Sequence, residues 1–135
     1  MVIGILGHGD LPDGLLSAMT LICGEQEKVF AVGLRPEESP EAYVERVTQA
    51  LRSCGEEEEV LFLVDVKGGT PCNVVARLIS PKRRCIAGVN LPVLLQAVMS
   101  RGEARSVKEL AAKVVDDGQG SIVDFSAELE AMMGN

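Results

Sequence analysis

His8 is the single histidine of this 135-residue chain, and it lies between two glycines in Gly7-His8-Gly9. The apolar run ahead of it, Val2–Leu6, is too short for a helix and reads as a buried strand. Behind it, Pro12–Cys23 carries Leu15, Leu16, Met19 and Ile22 at helical spacing. The order strand, Gly-His-Gly, helix displays the histidine at the carboxyl end of a strand, where open parallel sheets bind their ligands. It also sets the ring near a helix N-terminus, which favours anions. The plainer alternative is a histidine that packs or caps in a loop.

Two other strand ends carry polar residues. Asp65 follows Val60–Val64, VLFLV, the most apolar run of the chain, and Asn90 follows Cys85–Val89. In a sheet ordered 2-1-3-4 the first and third strands are neighbours, with the topological switch between them. His8 and Asp65 would then face each other across the crevice. A carboxylate beside an imidazole takes one ring N–H and fixes the tautomer, so the other nitrogen keeps a lone pair and can act as a nucleophile. Gly68-Gly69-Thr70 adds backbone N–H groups and a hydroxyl at a helix start, an arrangement that cradles anions. A nucleophilic imidazole facing an anion cradle suggests phosphoryl transfer, with the histidine itself taking the phosphate. Each part also has an ordinary reading. Asp65 can simply end a strand, Gly-Gly-Thr-Pro is common turn chemistry, and Asn90 before Leu91-Pro92 is a normal N-cap. Cys72, near a helix start, is assigned no catalytic role.

The elements that must position these residues follow from punctuation and periodicity. Gly24 stops the first helix, and Val29–Val32 reads as the second strand. Ser39 as N-cap, Pro40 at the first helical position and Glu41 in the first turn open a second helix, with Tyr43, Val44, Val47, Ala50 and Leu51 on one stripe. Glu56–Glu59 reads as a solvated loop guarding the third strand. Thr70 as N-cap and Pro71 open a third helix that buries Val74, Val75, Leu78 and Ile79. A basic loop, Pro81-Lys82-Arg83-Arg84, leads to the fourth strand. Leu91, Leu94, Leu95, Val98 and Met99 mark the next helix, closed by Arg101-Gly102. Ser106 and Glu109 form a capping box for a last helix through Val107, Leu110, Val114 and Val115. Asp117-Gly118-Gln119-Gly120 reads as a turn and Ile122–Phe125 as a short final strand. The tail Ser126–Asn135 reads as a helical turn or a loose end.

Four strand–helix alternations predict an α/β fold, an open, mostly parallel, doubly wound sheet flanked by helices; the strand order expected for it is 2-1-3-4. The length fits one domain over residues 1–135, without repeat or linker. Apolar residues make up 47% of the chain, which argues for a packed core rather than disorder. The net charge of -7 argues against a nucleic-acid or anionic-membrane surface. No apolar run approaches the roughly 20 residues that span a bilayer, and the N-terminus lacks the basic start of a signal peptide; a cytoplasmic protein is expected. Cys23, Cys54, Cys72 and Cys85 are scattered, without a CxxC pair, and one histidine does not complete a Cys/His zinc set. Reduced, mostly buried thiols are expected, with no metal and no cofactor. The scarcity of aromatics argues against base stacking.

Three motifs stand together in this order: Gly7-His8-Gly9…Gly14-Leu15, then Leu63-Val64-Asp65-Val66-Lys67-Gly68-Gly69-Thr70-Pro71-Cys72-Asn73, then Ala87-Gly88-Val89-Asn90-Leu91-Pro92. In this combination the chain resembles, over essentially its whole length, the IIA component of mannose-family sugar phosphotransferase systems. The resemblance implies that His8 is phosphorylated by the histidine-containing phosphocarrier protein and passes the phosphoryl group to the IIB component. Asp65 would orient His8. Thr70 matches a position where the family often has serine, so the hydroxyl is retained. The implied catalytic set is His8, Asp65 and Thr70, and the implied phosphate-binding set is Gly9, Gly68, Gly69 and Thr70. Pro12 departs from the family's usual small helix former at a position that touches no chemistry. The family's sheet has a short antiparallel fifth strand exchanged within a homodimer, and Ile122–Phe125 matches it. Membrane contact would be indirect, through the IIC/IID permease. Leu11, Pro12, Val66 and Lys67 are the expected docking residues around His8.

Three other readings compete. A phosphorylation-sensing module of a transcriptional activator would bring DNA-binding or ATPase segments that this chain lacks. The phosphocarrier domain of the dihydroxyacetone kinase system fits the Gly-Gly-Thr-Pro and Gly-Val-Asn-Leu-Pro motifs less well. A receiver phosphorylated on Asp65 needs an acidic pair at the end of its first strand, where this chain has Gly-His-Gly.

Overall fold

The structure is a computed structural model that describes residues 1–55 and 58–134. In chain order the elements are β1 (Val2–His8), α1 (Leu11–Cys23), β2 (Val29–Leu34), α2 (Pro40–Cys54), β3 (Val60–Val64), α3 (Thr70–Ala76), β4 (Arg83–Ala87), α4 (Leu91–Ser100), α5 (Val107–Gly118) and α6 (Phe125–Met133). The four described strands form one parallel sheet in the expected order β2-β1-β3-β4. Leu6 pairs with Val32 on one side and Val64 on the other, so β1 and β3 lie side by side.

Strand residues alternate between two cores because successive side chains point to opposite faces. Ile3, Ile5, Leu61 and Leu63 pack with Met19, Leu94, Val107 and Leu110 under α1, α4 and α5. Val2, Leu6, Val60, Phe62 and Val64 pack with Tyr43, Val47, Val74 and Val75 under α2 and α3. A fully buried side chain such as Phe62 contributes about 1.5–3 kcal/mol. Gly4 leaves the space that Phe30 fills: a Cβ there would stand 2.5 Å from the ring. The caps at Ser39, Asn90 and Ser106 each accept the expected backbone N–H, from Ala42, Val93 and Glu109.

Several sequence expectations need correction. β1 continues through His8 and β2 through Leu34, because their parallel ladder runs two residues past the apolar runs. β4 starts at Arg83 and ends at Ala87, so two residues of the expected basic loop belong to the strand, and Gly88 turns the chain at φ +96°. Gly69, not Thr70, is the N-cap of α3, without a side-chain cap, and α3 ends at Ala76. Leu78 and Ile79 therefore lie beyond the helix, and Ile79 is exposed. Ile22 on α1 and Met99 on α4 are likewise exposed, off the buried stripes. α5 runs to Gly118, through the first half of the expected turn.

The largest departure is at the C-terminus. Among the described residues Ile122–Phe125 pairs with no strand; Phe125 instead opens α6, capped by Asp124, which accepts from Ala127 N–H. An isolated strand needs a sheet edge to supply its hydrogen bonds, and although β2 and β4 are edge strands, this segment pairs with neither. No residue of α6 is buried, and Ile122, Val123, Phe125, Met132 and Met133 are all exposed. Of the expected Glu56–Glu59 loop, Glu56 and Glu57 lie outside the described residues, as does Asn135. Glu58 is half-buried and ion-paired with Lys28 at 2.6 Å, not freely solvated.

Candidate functional site

The strand order brings the ends of β1 and β3 together, and with them His8 and Asp65. Asp65 Oδ2 accepts the backbone N–H of His8 at 2.9 Å and lies 2.7 Å from His8 Nδ1. Its other oxygen, Oδ1, accepts the N–H of Val66 at 2.8 Å. Burial pushes the Asp65 carboxyl upward, but the bonds from the His8 ring, the His8 N–H and the Val66 N–H outweigh it and hold its pKa below the usual carboxylate value. An ionised carboxylate only accepts, so in the neutral ring the proton sits on Nδ1 and Nε2 keeps its lone pair. The two side chains differ sharply in access: His8 is 52% exposed and Asp65 only 9%. The carboxylate is thus a shielded anchor and the ring a displayed group.

The turns around the ring are shaped for close approach. Period-two alternation carries His8 to the face of Val2 and Leu6, which α2 and α3 cover. There the ring lies against Gly69: a Cβ on that residue would stand 2.8 Å from His8 Cε1. Gly7 is equally tight against Asp65, with a Cβ 3.0 Å from its carboxyl carbon. Gly9 turns at φ +58° and its N–H donates to Leu34 O at 2.9 Å, while its carbonyl rests directly on Gly33. β2 is held in turn by α2: Tyr43 Oη donates to Val32 O at 2.6 Å, and Arg46 donates to Gly33 O at 2.6 Å. Arg46 also binds both oxygens of Glu38, at 2.8 and 2.7 Å, and this pairing lowers the Glu38 pKa to about 2.

Of the residues singled out in the sequence, His8, Asp65 and Gly69 meet directly. Gly9 and Gly68 flank them with open space at their α-carbons, and Thr70, half-buried, is the first residue of α3. Asn90 takes its ordinary role: its Oδ1 caps α4 and its amide donates to Ser121 Oγ. Leu11, Val66 and Lys67 are exposed near the ring's end of the sheet, but Pro12 is buried in the first turn of α1 and drops out of the docking set. The four cysteines are free thiols, each half-buried rather than fully buried, and burial pushes Cys85 up to about 12. Among the described residues no group of three or more His, Cys, Asp or Glu could hold a metal ion, and no helix is long and apolar enough to cross a membrane. Sequence reasoning missed Asn73, whose amide donates to Gly68 O at 3.2 Å; its place five residues after a glycine in a turn gave no distinct signal.

The chain is similar in sequence and in fold to known proteins. The family model for the PTS system fructose IIA component, EIIA-man, matches residues 2–115. The chain is 41% identical over 128 residues to the PTS system fructose-specific EIIA component of Bacillus subtilis, covering 93% of this chain and 87% of that one. It is 35% identical over 123 residues to the PTS system mannose-specific EIIAB component of Escherichia coli K12, which takes in 90% of this chain but only 38% of that longer protein. Among solved structures, the phosphotransferase system component EIIA from Streptococcus agalactiae superposes with a TM-score of 0.80 at 36% identity, over 93% of this chain and 98% of that one.

Proposed function

The chain belongs to the IIA components of the mannose-family phosphotransferase systems, and from that membership we propose that it is a phosphoryl carrier in sugar uptake with His8 as the phosphoacceptor. The main support is the 2.7 Å contact between His8 Nδ1 and Asp65 Oδ2, which leaves Nε2 as the free nucleophile on an exposed ring. The Nε2 lone pair attacks the phosphorus of the phosphohistidine on the histidine-containing phosphocarrier protein. The new N–P bond forms as the donor's N–P bond breaks, and the donor ring nitrogen leaves with the bonding pair. Asp65 holds the Nδ1 proton throughout and balances the positive charge that grows on the ring. Gly68, Gly69 and Thr70 supply backbone N–H groups and one hydroxyl to the phosphoryl oxygens; Gly9, whose N–H is already given to Leu34 O, offers only open space beside the ring. The reverse sequence delivers the group to a histidine of the IIB component.

In this reading the protein works in the cytoplasm, meets the membrane only through the IIC/IID permease, and acts as a homodimer. Support for the homodimer is the unburied C-terminal segment, whose apolar residues a second copy would cover at the free edge of β4. Leu11, Val66 and Lys67 form the docking surface for the two protein partners. Incubation with phosphoenolpyruvate, enzyme I and the phosphocarrier protein, followed by intact mass, tests the role. One added phosphoryl group on the wild type and none on His8→Ala is expected; an unmodified wild type would contradict it.

A further inference from the structure

Gly68 and Gly69 are adjacent glycines held for different reasons. Gly68 has φ +89°, a conformation that side chains rarely adopt, and open space at its α-carbon. Gly69 has φ −76° and ψ 170°, extended backbone open to any residue. Nothing in its own dihedrals calls for glycine. What excludes a side chain there is the neighbourhood: a Cβ would stand 2.8 Å from His8 Cε1, 3.5 Å from His8 Nε2 and 3.3 Å from Val66 Cγ2. The imidazole therefore lies on the α-carbon of Gly69, along the Cε1–Nε2 edge that the Asp65 contact leaves free.

Asn73 fixes the height of that seat. Its side-chain amide donates to Gly68 O at 3.2 Å, and its backbone N–H donates to Gly69 O at 2.9 Å. Both carbonyls of the Gly68-Gly69 pair are thus tied to one residue of α3. Asn73 is itself exposed and touches neither His8 nor Asp65 by any hydrogen bond described, so its effect on the ring passes through the glycines.

We propose that Gly69 is the seat of the His8 imidazole and that Asn73 is a positioning residue that latches this seat, so that ring orientation is set from two sides, by Asp65 at Nδ1 and by Gly69 at Cε1–Nε2. The proposal deepens the carrier reading, on which its kinetic part rests; its geometric part concerns the unphosphorylated ring. A hydrogen bond at Nδ1 alone lets the ring rock about the axis through that bond. The second contact removes this freedom and aims Nε2, which an in-line approach requires.

The test uses ¹⁵N-labelled whole protein, wild type, Gly69→Ala and Asn73→Ala, with two readouts. The first is the pair of His8 ring ¹⁵N shifts as a function of pH, measured without any phosphoryl donor. The second is the rate of phosphorylation by the phosphocarrier protein, separated into kcat and KM. Wild type is expected to show one Nδ1–H tautomer. Both variants are expected to show displaced or averaged ring shifts, with kcat lowered and KM nearly unchanged. Since a misplacement of about 1 Å can cost on the order of 100-fold, Gly69→Ala should approach that loss and Asn73→Ala roughly tenfold. Asn73→Ser, which retains a donor, should recover part of the Asn73→Ala loss. Asn73→Ala removes only an exposed side chain, so it carries the test even where Gly69→Ala unfolds. Ring shifts of Asn73→Ala that match wild type across the pH range would overturn the proposal, as would a loss confined to KM. Failure of wild type itself to take phosphate would instead overturn the carrier reading, with the ring shifts still deciding the seat.

Discussion

Asp65 Oδ2 holds His8 twice, by the backbone N–H at 2.9 Å and by ring Nδ1 at 2.7 Å. One carboxylate oxygen therefore fixes both where the residue sits and how its ring is turned. Replacement by asparagine keeps the shape but offers an amide that can hold the ring in the wrong tautomer. Asp65→Asn is expected to fold and to accept phosphate much more slowly than wild type, by quench-flow. Wild-type rates under the same conditions would remove Asp65 from the mechanism.

The same carboxylate predicts a pH dependence. Its folded-state pKa is depressed, so its contribution to stability is present above the unfolded value of about 3.9 and is lost as pH falls through the lower folded value. The stability gap between wild type and Asp65→Asn should be widest near neutrality and close only in strong acid. Urea melts from pH 7 downward would show this; a gap independent of pH would contradict it.

Arg46 ties Glu38 to the Gly33 carbonyl, behind the turn that carries His8. Arg46→Ala strips both partners and should destabilise the fold by about 1–3 kcal/mol. Glu38 has its pKa lowered to about 2, so its share of this deficit should persist above the ordinary carboxylate range and fade as pH falls through about 2, leaving the share of the Gly33 carbonyl bond. Denaturant melts of the single variant across pH check both points.

Lys67 is exposed beside the β3–α3 turn. Lys67→Glu should change the second-order rate of transfer with at least one protein partner, more at low salt than at high. Stability should stay within about 0.5 kcal/mol of wild type, because the side chain has no buried contact to lose. Equal rates with both partners at two salt concentrations would take Lys67 off the docking surface.

The sheet was legible in the sequence because a marked residue follows each of four apolar runs, in Gly7-His8, Gly33, Asp65 and Asn90, although the ladder carries β2 to Leu34 and ends β4 at Ala87. The His8–Asp65 contact followed from strand order alone. The seat at Gly69 was not legible, because a glycine required by a neighbouring ring looks the same in sequence as one required by a turn. Pro12 misled for a related reason: adjacency to His8 in the chain says nothing of which side of the first helical turn faces the core. Ile122–Phe125 is short and mostly apolar, as a final strand would be, yet it pairs with no described strand and Asp124 caps a helix instead. A strand completed only by a second molecule would leave this signature. Deleting residues 119–135 should therefore yield monomers or aggregates by light scattering; an unchanged, well-folded dimer would refute the exchange.

The most direct measurement is the site of attachment on the ring. Long-range ¹H–¹⁵N spectra of the ¹⁵N-labelled protein after phosphorylation distinguish the two nitrogens of His8. The geometry predicts phosphorus on Nε2 with Nδ1 still protonated toward Asp65, in a linkage that is labile in acid and stable in alkali. Phosphorus on Nδ1, or on any residue other than His8, would contradict it.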